Sequence, residues 1–183
     1  MDDGDRVWRE RGLRDAVLAG DEQAWRLWYD ESCTDLSAYV LWRCGGLRDR
    51  ADEVVQETWL TAVRRLSSFD PGAGSFAGWL RGIAVNLLRN QFRRDIRRQG
   101  RTVVSDRVGE AADVEALRRE QAEAVAVALS ILPEHYEAVL RAKYLEGRSM
   151  ADIAATRGES VKAVESLLTR AREAFRTAYQ PDE

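Results

Sequence analysis

With 183 residues, 45% of them hydrophobic and 32% charged, the chain is long enough for one domain or two small ones and too apolar for full disorder. Twenty-eight Lys and Arg against 31 Asp and Glu leave a net charge of −3, so the overall balance gives no reason to expect a polyanionic partner. No apolar run reaches membrane-spanning length, and the N-terminus MDDGDRVWRERG lacks the apolar stretch and cleavage site of a secretory signal; Cys33, Cys44 and the single His135 form neither a C-x-x-C pair nor a zinc set, so free thiols in a reducing cytoplasm are expected.

Three prolines, Pro71, Pro133 and Pro181, leave long stretches free for helix, and the apolar periodicity is helical nearly everywhere. Residues 21–44 carry Trp25, Trp28, Tyr29, Leu36, Tyr39, Val40 and Trp42 and run into Gly45 and Gly46, which serve as a C-cap. Residues 49–66 place Val55, Trp59, Ala62 and Leu66 at i, i+4, i+7 and i+11. The first turn of that helix is acidic (Asp49, Asp52, Glu53) and the last basic (Arg64, Arg65), which suits the helix dipole. The segment SSFDPGAG, residues 67–74, is a loop by its proline and glycines, and Ser75 is an N-cap for a long helix to about residue 99. On that helix Phe76, Leu80, Ile83 and Leu87 are expected to face a core. Beside them Trp79, Asn86, Asn90, Arg93 and Arg97 fall in one narrow sector: an aromatic to stack on bases, amides for base edges, guanidinium groups for phosphates.

The distribution of charge sharpens this. Residues 21–67 hold six basic and nine acidic side chains, whereas residues 68–101 hold seven arginines against Asp70 and Asp95. Residues 102–128 are acidic again, three against six, and residues 129–183 are nearly balanced, eight against nine. One cationic segment in a mildly acidic chain is either a solvated helix face or a polyanion-binding surface.

Residues 100–112 have no sustained period and are expected to be a linker. Helix is expected to resume at about Asp113 and run to Leu132, with Pro133 opening a further helix over residues 134–145. Glu146-Gly147-Arg148 turns the chain, Ser149 caps a short helix over residues 150–156, Arg157-Gly158-Glu159 turns it again, and a last helix runs from Ser160 to about Tyr179. Its inward residues are Val164, Leu167, Leu168, Ala171 and Phe175; Lys162, Ser166, Thr169, Arg170 and Glu173 point outward. Short helix, glycine turn and second helix make the helix-turn-helix pattern, with small Ala154 and Ala155 allowing close approach. A helical enzyme has no candidates: one histidine, no phosphate loop, no nucleophile–base pair, and Glu53 and Glu57 sit as a solvated i, i+4 pair. No catalytic residue, cofactor or metal is expected.

Three segments occur in order with characteristic spacing: D-E-V-V-Q-E-T-W, F-x-x-W-L-x-x-I-A-x-N and L-P-x-x-x-x-x-V-L followed by the helix-turn-helix. Together, over residues 13–177, they resemble bacterial RNA polymerase sigma factors of the small extracytoplasmic-function group, which keep only regions 2 and 4 of the sigma-70 family. The resemblance implies an all-α chain of two small helical domains joined by a flexible linker: region 2 over residues 13–99, a linker and connecting helix over residues 100–128, and region 4 over residues 129–177. It implies core polymerase binding, against the β′ clamp helices, by Asp52, Glu53, Gln56, Glu57 and Trp59. It implies capture and melting of the −10 element by Ser68, Phe69, Trp79, Asn86, Asn90, Arg93, Arg94 and Arg97, and −35 reading by Ser160, Lys162, Ala163, Ser166, Thr169 and Arg170. The partners it implies are core RNA polymerase through the β′ clamp helices and β flap, promoter DNA and an anti-sigma factor, with no small-molecule substrate. The chain departs from the group where V-K-S-R-L-H-R-A-R is usual, having Glu165, Leu167 and Thr169 in place of two cations and a histidine. The contrasting reading is a stand-alone helix-turn-helix regulator outside polymerase, against which the D-E-V-V-Q-E-T-W segment and the basic helix both speak.

Overall fold

The computed structural model describes residues 3–99 and 110–179, and every regular element among them is helical. In chain order these are α1 (Asp3–Leu18), α2 (Glu22–Arg43), α3 (Arg48–Arg65), a short 3-10 turn (Leu66–Ser68), α4 (Phe76–Gln99), α5 (Glu110–Ile131), α6 (Glu134–Leu140), a π-helical turn (Arg141–Leu145), α7 (Met150–Arg157) and α8 (Val161–Ala178). The chain divides into two compact units, residues 1–41 with 48–102 and residues 42–47 with 103–183.

In the first unit Asp21 opens α2: its Oδ1 accepts the backbone N–H groups of Gln23 and Ala24, at 2.8 and 3.2 Å. Trp28 of α2 is 2% exposed and stacks on Phe76 of α4, ring centroids 4.0 Å apart and 7° from parallel. Phe69 stands edge-on to both rings, at 5.9 and 5.5 Å, so three aromatics from α2, the loop and α4 lock together. Helix α3 packs against α4 through Ala51, Val54, Thr58, Trp59 and Ala62. The hydroxyl of fully buried Thr58 donates to the Val54 carbonyl at 2.6 Å, so its polar group is satisfied.

Several expectations need correction. On α4 the buried residues are Phe76, Leu80, Ile83, Ala84, Leu88 and Phe92; Leu87, expected inside, is only half-buried. Each i, i+4 step overshoots a full turn by about 40°, so the line 76, 80, 84, 88, 92 winds around the helix and carries the buried face with it. Val55 of α3 is likewise half-buried, and Val54 takes the core position. The N-terminal segment, to which the sequence assigned no structure, forms the sixteen-residue helix α1. The expected linker over residues 100–112 lies largely outside the described residues, and α5 begins at Glu110 rather than near Asp113.

In the second unit Leu129, Leu132, Val139, Leu140, Ile153, Ala154, Val164, Leu167, Leu168 and Ala171 make one core. The helix expected over residues 134–145 is α-helical only to Leu140; beyond it the N–H of Glu146 reaches back five residues to the Arg141 carbonyl, at 3.0 Å. Helix α7 starts with a capping box: Ser149 Oγ accepts the Asp152 N–H at 3.1 Å, and Asp152 Oδ2 accepts the Ser149 N–H at 3.3 Å. The Ser149 hydroxyl also donates to Asp152 Oδ2, at 2.5 Å, and this bond first, then that of the Ser149 N–H and nearby Arg148, hold the Asp152 carboxyl below its ordinary pKa. Gly158 ends α7 at φ 64°, a left-handed conformation in which any side chain is strained, and Ser160 then caps α8 by accepting the Ala163 N–H at 3.2 Å. The turn between α7 and α8 is therefore specified at both ends.

Candidate docking groove and nucleic-acid interface

A groove runs between α2 and α3, with Trp25, Tyr29, Val55, Trp59, Leu60 and Val63 in its walls and Asp52 and Gln56 along its edge. Trp59 forms the floor. Trp25 meets it edge-on at 5.8 Å and Tyr29 lies tilted over it at 4.7 Å. The ring is almost fully buried, and its indole N–H has no hydrogen-bond partner among the described residues. Leu60 and Val63 remain 43% and 57% exposed, a large apolar fraction for a helix surface. Around this floor Asp52, Glu53, Gln56 and Glu57 are exposed, and Glu57 is paired loosely with Arg64 at 3.7 Å. An apolar trough with acidic and amide edges suits an amphipathic, basic helix. The acidic residues were legible in the sequence; Leu60 and Val63 were not singled out, although they extend the apolar side of α3 beyond what α4 covers.

The second surface is α4 and the loop before it. Asn86 and Asn90 are exposed, as are Arg89 and Arg94. Trp79 is half-buried, tilted against Phe69 at 5.3 Å and Phe76 at 5.8 Å, so one part of its indole remains accessible. Arg93 and Arg97 lie on α4, their side chains outside the described set. Phe69, expected to touch DNA, is 2% exposed with its ring in the aromatic core, because the chain must close a buried layer between α2 and α4. Ser68 is exposed, and its hydroxyl donates to the Arg65 carbonyl at 2.7 Å. Asp70 shapes the loop: Oδ1 accepts the Gly72 N–H at 2.9 Å, and its carbonyl accepts the Ala73 N–H at 3.0 Å.

Sequence reasoning missed the residues of α1 that grip this loop. Arg14 donates to the Phe69 carbonyl at 3.2 Å and Arg6 to the Pro71 carbonyl at 3.2 Å. Glu10, buried, accepts the Phe76 N–H at 3.0 Å through Oε1 and Arg6 at 2.9 Å through Oε2.

The third surface is the outer face of α8. Lys162, Ala163, Ser166, Thr169 and Arg170 are all exposed, together with Glu165. The hydroxyls of Ser166 and Thr169 donate to the carbonyls four residues earlier, each at 3.0 Å, leaving their lone pairs outward. Ser160 is committed to capping. Arg172 donates to the Tyr144 hydroxyl at 2.7 Å and lies 5.6 Å from that ring, bridging α8 to the π-helical turn.

The family profile described as Sigma-70 region 2 matches residues 31–101, and that described as Sigma-70, region 4 matches residues 122–175. The chain is 34% identical over 170 residues to the ECF RNA polymerase sigma factor EcfG of Rhodopseudomonas palustris, covering 87% of this chain and 81% of that one. It is 32% identical over 189 residues to the ECF RNA polymerase sigma-E factor of Salmonella typhimurium, covering 92% and 93%. Against the ECF RNA polymerase sigma factor BldN of Streptomyces coelicolor the identity is 28% over 169 residues, 87% of this chain and 61% of BldN's length. Among solved structures, CnrH in complex with the cytosolic domain of CnrY is 27% identical over 91% of this chain and 94% of that chain, with a TM-score of 0.49.

Proposed function

The chain belongs to the ECF RNA polymerase sigma factors, and from that premise we propose how its helices divide the work of promoter-specific transcription initiation. The α2–α3 groove docks core RNA polymerase at its β′ clamp helices. The acidic edge steers a basic helix into place, and burial of the apolar floor supplies affinity. Trp59 acts from beneath, its buried ring supporting the apolar floor that the docked helix covers.

The loop and α4 then take the −10 element. Extruding a base from the duplex costs a few kcal/mol, and a stacking contact contributes about 1–3 kcal/mol per base against it. The accessible part of Trp79 is the stacking surface, Asn86 and Asn90 address base edges, and Arg89, Arg93, Arg94 and Arg97 take phosphates. Phe69 acts from inside, by fixing the loop. Region 4 reads the −35 element through Lys162, Ser166, Thr169 and Arg170 of α8, with Ser160 orienting the helix start. The chain acts in the cytoplasm, where polymerase and promoter are, and among the described residues no helix is long and apolar enough to cross a membrane. An anti-sigma factor that covers the same groove is a further partner of this reading.

The observation that carries the proposal is the pairing, within the first unit, of an acid-edged aromatic groove with an adjacent helix whose exposed face is amide and arginine. A stand-alone DNA-binding regulator needs only the second of these. The test is transcription by core polymerase plus this chain on a promoter library: selective transcripts support the reading, and sequence-specific binding without core polymerase refutes it.

A further inference from the structure

Helix α1 has none of the motifs that mark the rest of the chain, and its mean composition is polar. Its inward face carries Arg6, Glu10 and Arg14, spaced four apart, beside half-buried Val7, Leu13 and Val17, and its one buried residue is the charged Glu10. Each of the three bonds the main chain of the segment that leads into α4. Arg14 takes the Phe69 carbonyl, Arg6 the Pro71 carbonyl, and Glu10 the Phe76 N–H. Arg6 is in turn tethered to Asp3 at 2.8 Å, the chief cause that strengthens its hold on its proton, and to Glu10 at 2.9 Å.

The Glu10 contact has a specific physical meaning. The first N–H groups of a helix have no partner within it. At α4, Ser75 satisfies one of them, the N–H of Gly78, at 3.1 Å. Glu10 satisfies another from 66 residues away, with a carboxylate at the positive end of the helix dipole. This bond and those from the arginines involve charged side chains, which makes them stronger than neutral ones. The loop between them is otherwise held by the Asp70 turn and the burial of Phe69 and Pro71, while Asp70, Gly72, Ala73 and Gly74 face solvent.

We propose that Arg6, Glu10 and Arg14 are positioning residues for −10 recognition: they fix the backbone of residues 69–76, so that the exposed rim of the loop and the first turn of α4 meet an extruded base already in shape. The proposal rests on the assignment of α4 and its loop to the −10 element. Pre-ordering is worth affinity because a loop that must order on binding subtracts that entropy from the contact it makes. The brace acts on base selection without touching DNA: its bonds go to residues 69–76, whereas the docking groove is lined by residues 25–29 and 52–63 and the −35 surface belongs to the second unit, so polymerase docking and −35 reading are left untouched.

The test uses holoenzyme reconstituted from core polymerase and the full chain, with a promoter selected by the parent holoenzyme from a randomised library. Open-complex formation is measured on that promoter and on versions substituted at each −10 and −35 position, alongside core affinity. Glu10→Ala is expected to lower discrimination at one or two −10 positions by about tenfold, the scale of one charge-assisted hydrogen bond. Core affinity and −35 discrimination are expected to stay at parental values. Glu10→Gln, which keeps an oxygen for the Phe76 N–H, is expected to recover much of the loss. Arg14→Ala, at a partly exposed site where folding is safe, is expected to shift the same positions by less. If Glu10→Ala and Arg14→Ala leave −10 discrimination intact while Asn86→Ala lowers it, the brace is refuted and the −10 assignment stands. If none of the three lowers it, both fall. A uniform loss across core binding, −10 and −35 positions, unrelieved by Glu10→Gln, reduces α1 to a folding element and overturns the proposal.

Discussion

Reversing the charge on the edge of the α2–α3 groove separates docking from folding. Glu53 and Glu57 are both exposed on α3, four residues apart, and neither closes the core beneath them. Among the described residues, Glu53→Arg with Glu57→Arg removes the pair of Glu57 with Arg64, 3.7 Å apart and open to solvent. Exposed pairs of this kind are worth about 0–1 kcal/mol, so the change in Tm should be a few degrees at most for a chain of this size. At the interface the arithmetic differs. Two carboxylates facing a basic partner become two like charges, and such juxtapositions cost several kcal/mol. A loss of about 3–4 kcal/mol corresponds to roughly 200- to 1,000-fold in Kd. The measurement is a titration of core polymerase with labelled protein at two salt concentrations, with thermal melting and circular dichroism of each variant. Core affinity should fall by at least two orders of magnitude with helicity unchanged, and higher salt should narrow the gap between variant and parent, because screening weakens repulsion. Parental affinity in the double variant refutes the docking assignment. A large fall in Tm together with a salt-independent loss refutes the electrostatic reasoning.

Asn86→Ala should weaken open-complex formation by about 1–3 kcal/mol with core binding unchanged, as expected for one base-directed amide; permanganate reactivity of −10 thymines equal to that of the parent would count against it. Arg93→Ala with Arg97→Ala should flatten the salt dependence of promoter binding by about two units of slope, one per phosphate contact, and Lys162→Ala should flatten it less while relaxing −35 preference; slopes in the reverse order would make region 4 the electrostatic anchor. The Asp152 carboxyl, held below its ordinary pKa by Ser149, contributes stability that is present above the unfolded-state pKa and is lost as pH falls through the folded-state pKa. The difference in Tm between the parent and Asp152→Asn should therefore be largest near neutrality and close as pH enters and passes below the carboxylate range; a difference independent of pH contradicts the capping box as its source.

What could be read from the sequence divides along physical lines. Helices α2, α3, α7 and α8 were legible because their starts carry capping side chains or acidic first turns, and their buried faces are apolar at helical spacing: Ser149 caps as expected, Asp21 and Ser160, read only as helix starts, cap as well, and Val164, Leu167, Leu168 and Ala171 all lie inside. The amide stripe on α4 was legible for the same reason, since Asn86 and Asn90 fall on one face and both are exposed. Helix α1 was not, because its one buried residue is the charged Glu10 and its bonds to the loop depend on carbonyls and an N–H far along the chain, while Val7, Leu13 and Val17 reach only half-burial. Phe69 was misread for a related reason. Its DNA role came from the resemblance of the loop as a whole, and only the positions of Trp28 and Phe76 show the ring to be core. The groove was half legible: charges at 52, 53 and 57 are visible in sequence, but which apolar side chains of α3 remain uncovered depends on how much of that helix α4 conceals.

The central claim is that this chain gives core RNA polymerase its choice of promoter, and run-off transcription tests it most directly. Core polymerase, which lacks a promoter-reading subunit, is mixed with the full chain and a randomised promoter pool, and the transcribed templates are sequenced. The account predicts transcripts that depend on the chain, start at defined points and share −10 and −35 elements, and that are lost with Glu53→Arg and Glu57→Arg. Transcription no different from core polymerase alone, or enrichment of templates by the chain in the absence of polymerase with no transcripts in its presence, contradicts it.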